Sequence, residues 1–282
     1  MSDRDDSAAT RSGGTLWLVA TPIGNLGDLP PRATEVLATA ALVCCEDTRR
    51  TGRLLQHAGV RAERLAVANE HTEFHRIADM LDVLGTGRDV AVVSDAGTPG
   101  VSDPGERLVR AAIDAGYTVA AVPGPAAAVT ALTISGQPTD RFVFEGFVPR
   151  SGRDRARRLA EVAAEHRTVV LYEAPHRIVR TLTDLTEVCG PERPVAVCRE
   201  LTKLYEQVIR GTLGDVDVGE PRGEYVIVLG PAPADGPVTD DTILAALRTE
   251  LAAGSTKRDA VATVTDLLGA AKKRVYALAI TE

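Results

Sequence analysis

Short apolar runs alternate with stretches of helical spacing through the first 125 residues of the chain. The runs are rich in Val, Leu and Ala and predict β-strands, whereas the stretches between them have the spacing of amphipathic helices. The predicted strands span residues 15–20, 42–45, 65–68, 89–93 and 117–122, and the predicted helices span 30–39, 48–59, 72–84 and 104–116. This alternation predicts a mostly parallel sheet with helices on its faces.

Two of these helices begin with capping signals. Asp47 or Thr48 can cap the helix that runs to Gly59, because short oxygen-bearing side chains accept hydrogen bonds from the first free backbone N–H groups. The sequence Asp103-Pro104-Gly105-Glu106 predicts another start, with Asp103 as the cap and Pro104 in the first position.

The regular alternation of predicted strands and helices ends after an Ala- and Thr-rich helix predicted at 126–135. Five further apolar runs follow, at 141–148, 168–173, 195–199, 206–212 and 224–229, and helical spacing separates only the first three, at 153–165 and 176–188. Neighbouring strands without a crossover helix usually pair antiparallel, so the second half predicts a mixed sheet.

These patterns divide the chain into four parts. We expect a disordered polar leader at 1–14, an N-terminal α/β domain at 15–125, a C-terminal mixed α/β domain at 126–231 and a helical tail at 238–282. The leader lacks the basic-then-apolar order of a signal peptide. Every apolar run is far shorter than the roughly 20 residues that cross a bilayer, so the sequence indicates a cytoplasmic protein without membrane association.

Composition and charge narrow the class of protein further. The chain is 44% hydrophobic and 25% charged, as is ordinary for a globular protein, and its net charge of −7 argues mildly against nucleic acid. Basic residues are nevertheless clustered at 49–53, 150–158, 257–258 and 272–274. These clusters either bind RNA phosphates or are solvated helix faces balanced by acids such as Glu161 and Glu165. The four cysteines form no C-x-x-C pair and predict buried free thiols.

Several familiar chemistries are missing from the sequence. It contains no G-x-G-x-x-G after the first strand, no P-loop and no G-x-S-x-G elbow. The pair His71 and His75 has no strong third ligand for zinc, so no metal site is predicted. What remains are small-residue loops at 21–28, 94–105 and 123–125, each after a predicted strand. Because ligands bind at the carboxyl edge of open α/β sheets, these loops predict a bound small molecule.

The sequence at and beyond these loops resembles a known family. The motifs are Val19-Ala20-Thr21-Pro22-Ile23-Gly24-Asn25-Leu26-Gly27-Asp28, Cys45-Glu46-Asp47-Thr48-Arg49, residues 94–105, Pro123-Gly124-Pro125 and Tyr172-Glu173-Ala174-Pro175-His176-Arg177. Their identity and order are similar to those of the tetrapyrrole-methylase superfamily and, within it, of the ribosomal RNA small-subunit methyltransferase I family. The resemblance covers about residues 15–231 and the tail segment 257–276.

This resemblance implies a fold, a cofactor and a reaction. It implies two α/β domains with S-adenosyl-L-methionine in the cleft between them, a homodimer, and 2′-O-methylation of cytidine 1402 of 16S rRNA. The substrate would be free small-subunit rRNA or the assembled small ribosomal subunit. The cofactor-binding residues implied by position are Pro22, Gly24, Asp95, Ala96, Gly97, Ser102, Ala127, Ala128, Tyr172 and Glu173. One departure is Ala174, where the family pattern has serine, so a backbone contact is favoured there.

Methylation of a ribose hydroxyl also needs a base or a group that stabilises the developing alkoxide. We select Glu46, Arg49 and Lys203 as catalytic candidates, with Asp47, Glu70, His71, Glu73 and Glu200 considered beside them. The plainer alternatives are that Asp47 caps its helix, that Glu70 and Glu73 face solvent, and that Lys203 pairs with Glu200. The RNA-binding candidates are Arg49, Arg150, Arg153, Arg177, Lys257, Arg258, Lys272, Lys273 and Arg274.

Three functions are compatible with these observations. The first is ribose methylation of small-subunit rRNA, and the second is methylation of a corrin or porphyrin precursor on the same fold. The third is a non-catalytic RNA-binding assembly factor that retains the cofactor fold. The cofactor loops argue against the third function. The arginine cluster and the tail argue against the second.

Overall fold

The computed structural model describes residues 13–69, 72–233, 240–268 and 270–281. Contacts divide the chain into two compact units, Met1–Gly230 and Pro231–Glu282. Most of the predicted leader, the candidates Glu70 and His71, and residues 234–239, which include the first two residues of the predicted tail, lie outside the described residues.

The first sheet has five parallel strands and confirms the predicted α/β pattern. Its strands are β1 (Thr15–Val19), β2 (Leu42–Cys45), β3 (Leu65–Val67), β4 (Val90–Val92) and β5 (Thr118–Val122), in the order β3-β2-β4-β1-β5. The helices between them are α1 (Pro31–Thr39), α2 (Thr48–His57), α3 (Glu73–Gly85) and α4 (Glu106–Asp114). β2 and β4 are buried at every position, because helices cover both faces of a parallel sheet.

The two predicted caps have different outcomes. Asp47 caps α2 as predicted, and its carboxylate accepts the N–H of Arg49 at 2.8 Å. The prediction that Asp103 caps α4 is wrong, since Gly105 occupies the N-cap position with a φ of 138°. A carboxylate oxygen of Glu73, in α3, instead accepts the N–H groups of Gly105, Arg107 and Leu108 at 3.0, 3.0 and 3.2 Å. The alternative interpretation, in which Glu73 faces solvent, is therefore also wrong.

The second sheet is mixed, as the spacing of its strands predicted. It contains β6 (Phe142–Phe147), β7 (Thr168–Glu173), β8 (Pro194–Arg199), β9 (Gln207–Thr212) and β10 (Tyr225–Leu229) in the order β6-β7-β10-β8-β9. β6 and β7 are parallel and the other pairs are antiparallel. Its helices are α5 (Ala127–Ser135), α6 (Gly152–Ala164) and α7 (Ile178–Cys189). Both sheets belong to the first compact unit, so the division into domains at 125/126 stays a prediction.

The face of the second sheet that carries α5 also receives a residue from the first half of the chain. Ile23, in the loop after β1, packs in one buried cluster with Ala128 and Leu132 of α5 and with Val170 and Val226 of the sheet. This cluster joins the loop after β1 to the second sheet. α6 and α7 contribute to a separate core that lines the opposite face.

The second compact unit contains three helices in its described part, α8 (Asp240–Ala252), α9 (Lys257–Leu268) and α10 (Lys272–Thr281). They share a small core built around Ile243, Leu247, Val264 and Val275. None of the helices described in either unit is both long and apolar enough to span a membrane. The prediction of buried free thiols holds for Cys44, Cys45 and Cys198, and Cys189 is a half-buried free thiol.

Candidate functional site

Three loops meet at the carboxyl edge of the parallel sheet, where the sequence predicts a ligand. Thr21, after β1, and Gly97, after β4, exchange backbone hydrogen bonds of 2.8 and 3.1 Å. The Thr98 hydroxyl donates to the carbonyl of Pro125, after β5, at 3.2 Å. β1 and β4 are neighbours in the sheet, but the chain runs from β1 towards one edge, to β2, and from β4 towards the other edge, to β5. Such a switch point is the usual place for a ligand in an open α/β sheet.

A cavity of about 740 Å³ lies at these loops. Its volume falls within the roughly 300–1,000 Å³ typical of small-molecule sites. The loops after β1, β2 and β4 form one part of its lining, and residues of the second sheet form another. The cavity therefore lies where the two sheets approach each other within the first compact unit.

An aromatic wall lines the cavity on the side of the second sheet. It consists of Phe142, Phe144 and Phe147 of β6 and Tyr172 of β7. The Tyr172 ring makes edge contacts with Phe144 and Phe147, with ring centres 4.9 and 5.7 Å apart. Its hydroxyl oxygen accepts the N–H of Ala128 at 3.1 Å, at the start of α5, which has no side-chain cap of its own. Tyr172 thus fixes α5 and the aromatic wall relative to each other.

Three carboxyl groups converge on the other side of the cavity. Glu46, after β2, accepts the N–H of Asp95 at 2.8 Å, and Asp95 pairs with Arg50 of α2 at 3.3 Å. Burial raises the pKa of both Glu46 and Asp95 above the ordinary values. Burial also raises the pKa of Asp103 to about 7, and the charges of Glu46 and Asp95 add to this effect. The second oxygen of Asp95, Oδ1, is buried without a hydrogen-bond partner.

Most of the cofactor candidates lie at this cavity. The residues that line it are Asp95, Ala96, Gly97, Ser102, Ala127, Ala128, Tyr172 and Glu173. Pro22 and Gly24 flank a further lining residue, Ile23, and are not part of the lining themselves. A Cβ on Gly24 would overlap the side chains of Thr202 and Lys203, so glycine is needed where these two loops approach each other.

The carboxylate of Glu173 is already engaged within the protein. It accepts the Thr181 hydroxyl at 2.6 Å and the N–H of Ala174 at 2.8 Å, and it pairs with Arg177 at 3.1 Å. Its side chain is fully buried. Glu173 therefore shapes the turn after β7, and the unexpected Ala174 lines the cavity and receives this support through its backbone.

The three catalytic candidates occupy different surroundings. Glu46 lines the cavity, whereas Arg49 is exposed and pairs with Asp47 at 2.9 Å. Lys203 bonds to Glu200 and Glu224, both at 2.8 Å. Burial lowers the pKa of Lys203, but these two carboxylates raise it more, so the net shift is upward. An ammonium held in this way stays charged and is a poor base.

Sequence reasoning found Tyr172 but missed three features of the cavity: Arg50, Asp103 and the phenylalanines of the aromatic wall. Arg50 is next to the selected Arg49, but adjacent residues of a helix point about 100° apart. Asp103 belongs to a recognised motif and was interpreted as a helix cap. Aromatic residues make up only 4% of the chain, and three of its four phenylalanines line this cavity. The positions of these scarce residues were therefore a sequence signal for the site.

The candidate phosphate-binding residues also separate into two groups. Arg150 and Arg153 are exposed. By contrast, Arg155 is buried against Asp184, and the Arg177 side chain is only 17% exposed. In the tail, Arg258, Lys272 and Lys273 are exposed, Lys257 donates to the Ala279 carbonyl, and Arg274 pairs with Asp240. No group of His, Cys, Asp and Glu suited to a metal ion occurs in the ranges that the structure describes.

Comparisons with known proteins agree on one family. The sequence model of the tetrapyrrole (corrin/porphyrin) methylases matches residues 15–217. A ribosomal RNA small subunit methyltransferase I of Synechocystis is 44% identical over 95% of this chain and 98% of its own length. The protein of the same name from Escherichia coli O157:H7 is 39% identical over 99% of both chains.

A solved structure has a similar fold. It is uroporphyrin-III C-methyltransferase from Thermus thermophilus, complexed with S-adenosyl homocysteine, with a TM-score of 0.53 and 22% identity. The match covers 77% of this chain and 97% of that one.

Proposed function

The chain belongs to the tetrapyrrole methylase family and, within it, to the ribosomal RNA small subunit methyltransferases I, and from this premise we propose that it methylates small-subunit rRNA with S-adenosyl-L-methionine. The observation that carries the proposal is the cavity at the switch point of the parallel sheet, built from the loops in which the sequence predicts a cofactor site.

The residues of the cavity fit this cofactor. Asp95 presents a buried carboxylate oxygen without a partner, which suits a hydroxyl or ammonium donor. Ala96, Gly97, Ala127 and Ala128 have side chains small enough for a ligand to approach their backbone. Sulfonium chemistry supplies the methyl group when the cofactor is bound. The acidic groups Glu46, Asp95 and Asp103 suit its positive charge.

The protein's own contribution is to align the acceptor and to receive its proton. Alignment alone can lower a barrier by roughly 7–11 kcal/mol in favourable intramolecular reactions. The acceptor that we propose is the ribose 2′-hydroxyl of a cytidine in small-subunit rRNA. A hydroxyl is a poor nucleophile until its proton is removed, so the carboxyl groups in the cavity support this acceptor chemically.

The proposed RNA contacts are the exposed Arg150 and Arg153, together with the exposed cations of the tail. Replacing Arg153 by Gln should weaken RNA binding and reduce the slope of log K against log salt by about 0.7, as for one phosphate contact with a single strand. Arg157 provides a matched control on the same helix, because it already pairs with Asp154 at 3.0 Å. Equal effects of the two substitutions would contradict these contacts.

The proposal includes a cytoplasmic homodimer as the working form, as the family resemblance implies. Sedimentation of the full chain should give twice the mass of 29.8 kDa. A monomer at micromolar concentration would contradict the dimer. It would not contradict the proposed reaction, which the methyl-transfer assay tests separately.

The main test is transfer of tritiated methyl from S-adenosyl-L-methionine to isolated small ribosomal subunits, to free small-subunit rRNA and to a uroporphyrinogen. Label at one ribose 2′-hydroxyl of the rRNA is the expected result, and the two RNA substrates distinguish assembled from free rRNA. Label in the tetrapyrrole alone would overturn the proposal in favour of a precursor methylase. Cofactor binding without transfer to any substrate would indicate a non-catalytic binding factor.

A further inference from the structure

Asp103 differs from the other carboxyl groups of the cavity in its partners. Asp95 pairs with Arg50, and Glu46 accepts the backbone N–H of Asp95. Within the described ranges Asp103 has no ion pair with a cation, and the nearby Ser94 hydroxyl donates to the carbonyls of Ala96 and Gly97, both at 3.3 Å. It is thus a half-buried acid that faces two other acids and no compensating positive charge of its own.

The backbone on both sides of Asp103 is held tightly. The loop closes on itself through the bond from the Gly100 N–H to the Pro104 carbonyl at 3.1 Å, and Gly105 is anchored to Glu73 at 3.0 Å. Ser102, just before Asp103, has a left-handed φ of 61°, which a non-glycine residue keeps only where its surroundings enforce it. Its hydroxyl lies against Gly146 of β6, at 3.0 Å from where a Cβ would stand. Asp103 is therefore held in one place beside the second sheet.

The remaining titratable groups of the cavity are unsuited to accept a proton. Within the described ranges the lining contains neither histidine nor lysine, and its titratable side chains are Glu46, Arg50, Asp95, Asp103, Tyr172, Glu173, Glu224 and Tyr225. Glu173 is bound to Arg177 and Thr181, and Glu224 is an exposed partner of Lys203. Burial raises the pKa of Tyr172, which keeps its hydroxyl protonated.

Tyr225, Asp95 and Glu46 also have partners that make them less suited than Asp103 to accept a proton. The hydroxyl of Tyr225 accepts the N–H of Arg222 at 3.1 Å. Burial raises the pKa of Asp95 as well, but Arg50 offsets part of this rise because it stabilises the charged form, and it pairs with the Asp95 carboxylate at 3.3 Å. Glu46 uses one oxygen to hold the backbone of Asp95. A general base works best with a pKa near the operating pH, and burial together with Glu46 brings the pKa of Asp103 to about 7.

We propose that Asp103 is the general base of the methyl transfer, an inference that rests on the proposed function and adds the residue that activates the acceptor. As the ribose oxygen forms its bond to the methyl carbon, the hydroxyl proton passes to the Asp103 carboxylate. The electron pair of the broken methyl–sulfur bond stays on sulfur. The proton then leaves Asp103 to solvent, which restores the carboxylate for the next turnover.

The test compares Asp103→Asn with the wild type in single-turnover methylation of small ribosomal subunits between pH 5.5 and 9. Asn keeps the shape of Asp but cannot accept the proton, so the rate should fall by about 10²- to 10⁴-fold, the usual contribution of a general base. The wild-type rate should rise with pH to a plateau with an apparent pKa near 7, and the variant should lose this dependence. Asp114→Asn, an exposed change at the end of α4, serves as the charge-matched control and should match the wild type.

Binding measurements separate this role from a structural one. Calorimetry with S-adenosyl homocysteine and filter binding of rRNA should give affinities within about 3-fold of the wild type for Asp103→Asn. A tenth or more of the wild-type rate, or an unchanged pH profile, would overturn the role of Asp103. A loss of cofactor affinity in proportion to the loss of rate would overturn it as well, in favour of ligand binding. If the wild type itself transfers no methyl to RNA, the proposed function fails, and the role of Asp103 fails with it.

Discussion

The contact between Glu73 and the start of α4 leads to the most direct stability prediction. One carboxylate oxygen of Glu73, a residue only 5% exposed, accepts three backbone N–H groups from a helix that has no side-chain cap within its own segment. Replacing Glu73 by Gln keeps an oxygen in place but removes its charge. The three hydrogen bonds become neutral, and the favourable interaction of an anion with the helix N-terminus is lost.

The size of this effect follows from the hydrogen bonds involved. Hydrogen bonds to charged groups contribute about 1.5–3 kcal/mol and neutral ones about 0.5–1.5 kcal/mol, so the loss is about 1 kcal/mol per bond and about 3 kcal/mol for the three bonds in Glu73→Gln. Glu73→Ala leaves the donors unpaired and should cost about 4 kcal/mol. In a chain of this size, about 3 kcal/mol corresponds to a fall of roughly 6–12 °C in Tm.

The assay is urea and thermal unfolding of the full chain, with Glu106→Gln as the control. Glu106 is an exposed acid in the first turn of the same helix. Among the described residues its carboxylate has no ion pair, so its removal loses the interaction with the helix dipole and should cost about 0.3–1 kcal/mol. If Glu73→Gln destabilises the protein no more than Glu106→Gln does, the buried carboxylate does not hold the helix start, and this reasoning is refuted.

Four further predictions test the site and its packing. Because the pKa of Asp103 is raised to about 7 in the folded state, the folded protein holds this proton more tightly than the unfolded chain. The contribution of Asp103 to the free energy of unfolding therefore falls as the pH rises from the ordinary aspartate pKa to about 7. The Tm of Asp103→Asn relative to the wild type should accordingly increase from pH 5 to pH 8. Glu173→Gln leaves Arg177 buried without its charged partner and should cost about 3 kcal/mol in urea unfolding, and an unchanged midpoint would contradict that. Gly124→Ala should cost about 1–3 kcal/mol, since a Cβ would lie 2.9 Å from that of Ala20. Gly52→Ala, in α2 with open space around it, should instead stabilise the protein by about 0.5–1 kcal/mol.

The order of helices and strands was predictable from sequence because it depends on local patterns. Periodicity and turn residues lie within a few positions of the element that they define. The start of α4 was not predictable in this way, because Glu73 lies 32 residues before Gly105. The same holds for the place of β10 between β7 and β8, which depends on pairing between distant segments. Sequence reasoning thus found the elements and missed contacts between them.

The candidate site likewise has a part that was predictable from local sequence and a part that was not. The small-residue loops were predictable because the carboxyl ends of parallel strands must share one edge of the sheet. Their side-chain chemistry was not, because the direction of Asp103 depends on a glycine cap and a left-handed Ser102. The aromatic wall depends on the register of β6, which shifts between Phe144 and Gly146. Each of these features is a consequence of tertiary structure and leaves a weak signal in the sequence.

The distribution of charge reconciles an acidic chain with an RNA substrate. The acids Glu46, Asp95 and Asp103 lie in the cavity, where they suit a cationic cofactor and would repel a phosphate. A ribose hydroxyl carries no charge and can enter this environment. The phosphates beside it then have to remain outside the cavity, and the RNA contacts that we propose, Arg150 and Arg153, are exposed cations. The net charge of −7 therefore says little about RNA binding here, because in the proposed complex the acids in the cavity and the exposed arginines would act on different parts of the nucleotide.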